Sequence, residues 1–212
     1  HVAIVNAAKK SNPEFSYLMD FGSSIKDLAV AGSTMIVSDG YDLSGFDISS
    51  PENPRFSGIV ESLQNINDFE VVGSYIYVAT NDGIKVVELL SDGSLLLKGE
   101  IFLASRKVKV VKQIAGKLIA VEENSISLTD ISADPLNSVA DFTVPVPSVY
   151  TAELAVDRLV VYTSQNTVLS FNAFDLTPVG EAFTLCQMPF LTSSAEHVYL
   201  GCTGTAYEVE EY

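Results

Sequence analysis

The sequence predicts an all-β fold built from one unit repeated along the chain. Three observations predict it. First, Asn12-Pro13-Glu14-Phe15 returns as Asn53-Pro54-Arg55-Phe56 after 41 residues, and the same step carries Asn6 to Asp47 and Asp47 to Glu88. A fixed period of this size marks a repeat architecture, in which each unit buries its apolar face on the next. Second, apolar residues alternate with polar ones in short runs rich in Val, Ile, Thr and Tyr. That alternation belongs to half-buried strands, whereas a helix would space them i, i+3, i+4. Third, the runs are punctuated by Gly, Pro, Asn and Asp at the places where hairpins need turns.

The elements follow in order. Residues 2–6 and 15–19 open the chain as the last two strands of a unit. Five hairpins come next, at 25–38, 66–79, 108–121, 153–162 and 191–201. The first two align at the 41-residue step, matching Asp27 with Asp68, Gly32 with Gly73 and Ser33 with Ser74. Each hairpin leads through a polar turn to a third strand, at 43–47, 84–88, 126–130, 168–172 and 206–211. Fourth strands follow at 56–59, 95–101, 139–144 and 179–185. No segment carries a helical pattern of three turns.

Four antiparallel strands in about 41 residues is the arithmetic of a β-propeller blade. The blades fall at about 25–64, 65–105, 106–148 and 149–189, with 190–212 and 1–24 left over. The expected architecture is a five-bladed propeller in one domain, closed by a split blade made from those two ends. The strands total 21, one more than five blades need, so a fragment of a six- to eight-bladed ring is the alternative. The chain begins at His1 and enters a strand at once, which reads as a processed chain or a piece of a longer polypeptide.

The net charge is −15, and 47% of residues are apolar. Such a surface repels nucleic-acid backbone, which is bound by Lys and Arg displacing counterions. It repels an anionic membrane surface equally. No run of 18 apolar residues occurs, so no helix-type membrane insertion is expected. Cys186 and Cys202 flank the last hairpin, where they would meet as a disulfide or stay as two buried thiols.

No catalytic constellation stands out. His197, beside Glu196, reads as a strand residue rather than a triad base. Asp39, Asp42, Asp82, Glu122 and Glu123 sit in equivalent turns between second and third strands. They are weak calcium candidates, because calcium takes six to eight oxygens. Turn chemistry explains the same residues without a metal. Asp47, Glu88 and Asp130, with Asn6 and Asn172, recur at the end of the third strand in nearly every blade, where such side chains bond nearby backbone. Tyr75, Tyr77, Tyr150, Tyr162, Tyr199 and Tyr207 offer either a binding surface or packing between blades. No cofactor is implied.

The stretch Gly45-Phe46-Asp47-Ile48-Ser49-Ser50-Pro51-Glu52-Asn53-Pro54 resembles the LVIVD repeat family. Gly73-Ser74-Tyr75-Ile76-Tyr77-Val78-Ala79 and Gly83-Ile84-Lys85-Val86-Val87-Glu88 fit the hairpin and third-strand halves of its unit. The match covers roughly residues 1–90 and fades through Thr129-Asp130-Ile131-Ser132 to Asn172-Ala173-Phe174. The resemblance implies a β-propeller in a surface or secreted protein and transfers no catalytic residue. The expected function is therefore a non-catalytic interaction or assembly module, extracellular, cell-surface or periplasmic. Its partners would be another protein or copies of itself. A hydrolase on a propeller scaffold would instead place two or three carboxylates with raised pKa values at the channel, and a calcium-stabilised surface module is the third reading.

Overall fold

In the computed structural model the described residues are 1–6, 14–103, 107–136, 139–184, 190–194, 197–202 and 205–209. Asn6 and 205–209 are described through their backbone. All regular structure there is β. The chain opens with β1 (Val2–Asn6) and β2 (Glu14–Met19), paired as a two-stranded sheet. Four complete antiparallel sheets follow in chain order. They are β3 (Asp27–Ala31), β4 (Thr34–Ser38), β5 (Leu43–Asp47) and β6 (Arg55–Val60); then β7 (Asp68–Val72), β8 (Tyr75–Thr80), β9 (Gly83–Leu89) and β10 (Leu95–Ile101). The third sheet holds β11 (Val108–Ile114), β12 (Lys117–Glu122), β13 (Ser125–Asp130) and β14 (Phe142–Pro145). The fourth holds β15 (Val149–Ala155), β16 (Arg158–Thr163), β17 (Thr167–Asn172) and β18 (Pro178–Phe183). The chain closes with β19 (Phe190–Ser193), β20 (Val198–Cys202) and β21 (Thr205–Val209) in a three-stranded sheet.

The second strand of each complete sheet explains the stacking. In β8, Ile76 and Val78 face the first sheet, in a cluster with Ile36, Leu43 and Phe69. Tyr77 and Ala79 face the third sheet, in a cluster with Val108, Val111 and Leu118. Ile119 and Val121 of β12 then meet Val149 and Leu159 of the fourth sheet. Val160 and Tyr162 of β16 meet Val198 and Leu200 of the last sheet. A strand with a sheet on either side must be apolar on both faces, so these strands read as near-continuous apolar runs. From the second sheet onward, successive sheets approach each other chiefly through their first strands, β7, β11, β15 and β19, while the first two sheets meet through β6 and β10 as well as β3 and β7; the first strands form the inner edge of the stack.

Two expectations are corrected. The split closing blade does not form among the described residues: β1–β2 and β19–β21 are separate sheets. By their place in the repeat, both β1 and β21 are third strands. β21 already occupies the edge of β20 that β1 would need. The fourth strand of the third sheet begins at Phe142 rather than at residue 139. Asp141 ends the preceding loop by donating its N–H to the carbonyl of Leu128, while its carboxylate accepts the N–H of Asp130. Pairing therefore starts one residue later, at Phe142 with Leu128.

Candidate functional site

Three of the turn carboxylates expected as calcium candidates, Asp39, Asp42 and Glu123, are occupied by donors of the chain itself. Asp39 Oδ1 accepts the N–H groups of Tyr41 and Asp42, each at 2.9 Å. Slight burial works against its charge, yet these bonds hold its carboxyl below the usual aspartate range. Asp42 accepts the Ser62 N–H at 2.8 Å. Glu123 pairs with Lys107 at 3.1 Å. Asp82 donates its N–H to the Thr80 hydroxyl. Glu122 is not a turn residue: it ends β12, fully buried, and accepts the Ser127 hydroxyl. Ser38, Thr80 and Thr163 end the second strands of the other complete sheets, so a carboxylate there is peculiar to the third. No group of three or more His, Cys, Asp or Glu side chains suited to a metal occurs among the described residues.

The recurrent polar residue at the end of the third strands caps the following turn. Asp47 accepts from Ser49, Asp130 from Ser132 and Asn172 from Phe174, all at 2.9 Å. Glu88 departs from the pattern and pairs with Lys98 at 3.1 Å. In that repeat Asp92 bonds Ser94 instead. His197 lies exposed before β20 with its ring tilted against Tyr199. Tyr77 and Tyr162 are buried between sheets, and burial pushes the Tyr77 phenol up to about 12. Tyr150 is exposed and stacks on Tyr162. Cys202 is disulfide-bonded, while Cys186 lies outside the described residues, as does the Tyr207 side chain.

Charge gathers instead along the inner strands. Lys112 of β11 lies 3.6 Å from Asp68 Oδ2 on β7 and 4.0 Å from Glu153 Oε2 on β15. Asp68 Oδ2 also accepts the backbone N–H of Val111 at 3.0 Å, bridging two sheets. Glu153 accepts the Ser193 hydroxyl of β19 at 2.9 Å. Glu70 and Asp27 complete the cluster from β7 and β3, and both feel the Lys112 charge. Asp68 and Glu70 share a face because they are two apart on one strand.

Only two members of this cluster, Asp27 and Asp68, were visible in the aligned repeats. Glu70, Lys112 and Glu153 were missed, although each pairs with the second strand two residues before the end of its hairpin arm. Aligning on the turns rather than on residue identity would have found them.

The electrostatics follow from one ammonium facing four carboxylates at a partly dry edge. Burial raises the Asp68 pKa to about 6, opposed by Lys112 and the Val111 N–H and assisted by repulsion from Asp27. Burial likewise raises Glu70 and Asp27, with Lys112 opposing in both. For Lys112, burial alone would lower the pKa, but the surrounding carboxylates outweigh it and leave it raised. Chemically, the arrangement raises the pH at which Asp68 takes up a proton and ties inner strands from successive sheets together.

No protein-family model matches the sequence, and no curated protein matches it. Solved structures do match in shape. A chain of the mitotic checkpoint complex superposes with a TM-score of 0.71 over 95% of this chain and 66% of its own, at 13% identity. The computationally designed Ika8 protein superposes with a TM-score of 0.69 over 87% of this chain and 57% of its own, at 12% identity. The checkpoint chain is a propeller-like WD40 structure. The fold here is propeller-like. At these identities the likeness is one of fold alone, and this chain spans less than two thirds of the length of either match.

Proposed function

We propose that this propeller-like chain is a protein-interaction module without a catalytic role, working at an extracellular, cell-surface or periplasmic location. One observation carries the reading. Phe15 on β2, Phe56 on β6 and Leu97 on β10 recur at the 41-residue step, and they are 64%, 60% and 47% exposed. Apolar residues left in water at one place in successive repeats mark a contact surface, whereas scattered ones mark nothing. The disulfide at Cys202 supports an oxidising compartment. The hairpin and third-strand motifs of β7 to β9 support the LVIVD assignment. A photo-crosslinking residue at 56 or 97 should capture a protein partner or a second copy, and one at Asp175 should not. Equal capture at all three sites, or none, would count against the module.

A second reading, hydrolysis, is favoured by the Asp68 cluster, since carboxylates with raised pKa values serve as general acids. Ion-pair networks perturb pKa values in the same way, and Lys112 makes this cluster such a network. Turnover of glycoside or ester substrates that disappears in Asp68→Asn would establish it.

A further inference from the structure

We propose that the Lys112 cluster is a proton-dependent clamp on the inner edge of the sheet stack, which tightens when the cluster takes up a proton and slackens when it loses one. The argument begins with placement. Its members come from consecutive inner strands: Asp27 from β3, Asp68 and Glu70 from β7, Lys112 from β11, Glu153 from β15 and Ser193 from β19. The charged groups reaching Asp68 are Asp27, Glu70 and Lys112 directly, and Glu153 through Lys112. No two of the elements β3, β7, β11 and β15 are adjacent in one sheet. Whatever changes the charge balance therefore acts on how sheets sit against each other, rather than on pairing within a sheet.

Burial gives the direction, and the excess of carboxylates assists it. One ammonium cannot neutralise four carboxylates, and Lys112 and Asp68 are only 21% and 16% exposed, so water screens their surroundings weakly. With every carboxylate ionised, β3 and β7 carry like charge toward one another, while Lys112 on β11 attracts both β7 and β15. A proton on Asp68 removes the cost of holding its charge out of water and the repulsion from Asp27 and Glu70, which together outweigh the lost attraction to Lys112. Its carboxyl can still accept the Val111 N–H, so the bridge between β7 and β11 survives protonation. Lys112 keeps Glu153. The proposal is independent of the interaction module and of hydrolysis, since it concerns packing alone.

The test is thermal unfolding of the whole chain between pH 7.5 and 5.0. A carboxyl with a folded-state pKa raised above its unfolded value adds stability that is complete below the unfolded value and lost as pH rises through the folded one. For Asp68 the window runs from 3.8 to about 6. Wild type should gain about 3–5 °C in Tm from this group on going to pH 5.0. Asp68→Asn, which imitates the protonated form, should lose that part of the rise. Lys112→Gln should melt well below wild type at pH 7.5 and recover part of the gap at pH 5.0. Asp175→Asn, in an exposed turn, should run parallel to wild type. A slope for Asp68→Asn equal to that of wild type would overturn the clamp. Should the variants not fold, carboxyl NMR of the wild type decides: Asp68 should titrate well above Asp175, with the Val111 amide moving at the same midpoint. Titration of Asp68 alongside Asp175 would also overturn it.

Discussion

The carboxylate of Asp68 on β7 accepts the backbone N–H of Val111 on β11 at 3.0 Å, a side-chain bridge between strands of different sheets. Asp68→Ala removes the acceptor and leaves Lys112 with Glu153 as its ion pair. The expected loss is about 1–3 kcal/mol at pH 5, the range for leaving a buried donor such as the Val111 N–H unsatisfied. It should be smaller at pH 7.5, because the stability that Asp68 adds is spent as pH rises through its folded pKa of about 6. Urea unfolding at the two pH values measures the difference.

Gly45 on β5 allows the loop of the next sheet to come close. A Cβ there would stand 2.9 Å from the Gly93 carbonyl oxygen and 2.9 Å from Ser57 Oγ. Ser57 itself donates to that carbonyl at 2.7 Å, so neither neighbour can withdraw without breaking the bond. Gly45→Ala should cost about 1–3 kcal/mol, as overpacking does. The same change at Gly180, where a Cβ meets nothing within 4 Å, is the control in a denaturation series.

Glu122 is fully buried at the end of β12 and holds the Ser127 hydroxyl. Glu122→Ala would open a void and leave the Ser127 hydroxyl to its longer contact with Thr143 Oγ1 at 3.2 Å, at a cost of about 1–3 kcal/mol. Glu122→Gln keeps an acceptor oxygen and should retain most of the stability. Equal Tm values for the two variants would show that the hydrogen bond contributes little.

The turn carboxylates Asp39, Asp42 and Glu123 already serve N–H groups or Lys107. Asp39 and Asp42 share one turn of the first sheet and Glu123 lies in a turn of the third, and calcium would have to displace those bonds. Millimolar calcium or a chelator should therefore shift Tm by less than about 1 °C, against several degrees for a ligand present far above its Kd. Differential scanning calorimetry measures this directly.

Much of the fold was legible in the residues. The 41-residue step located the repeat, and the two-residue turns Gly32-Ser33, Gly73-Ser74 and Ala115-Gly116 located the hairpins. These features are local, because turn chemistry and alternation are written by neighbours along the chain. The predicted third strand at 43–47 and fourth strand at 95–101 match β5 and β10 residue for residue. The start of β14 was less legible. It depends on Asp141 bonding Leu128 and Asp130 on another strand, which no local pattern announces.

The candidate site lay mostly beyond reach for the same reason. Glu70, Lys112 and Glu153 look like ordinary polar positions in their own strands, whereas the turn carboxylates stand out because they occupy equivalent turns of successive repeats. By itself, the sequence determined the class of fold, the strand order within each sheet and the apolar character of β4, β8, β12 and β16. Only the tertiary structure decided that the two terminal groups of strands stay in separate sheets, that Glu122 points inward, and that one lysine faces four carboxylates along the inner strands. Contacts between sheets depend on how each face stacks on the next, and that is set by packing between residues about 40 positions apart rather than by any residue's neighbours in the chain.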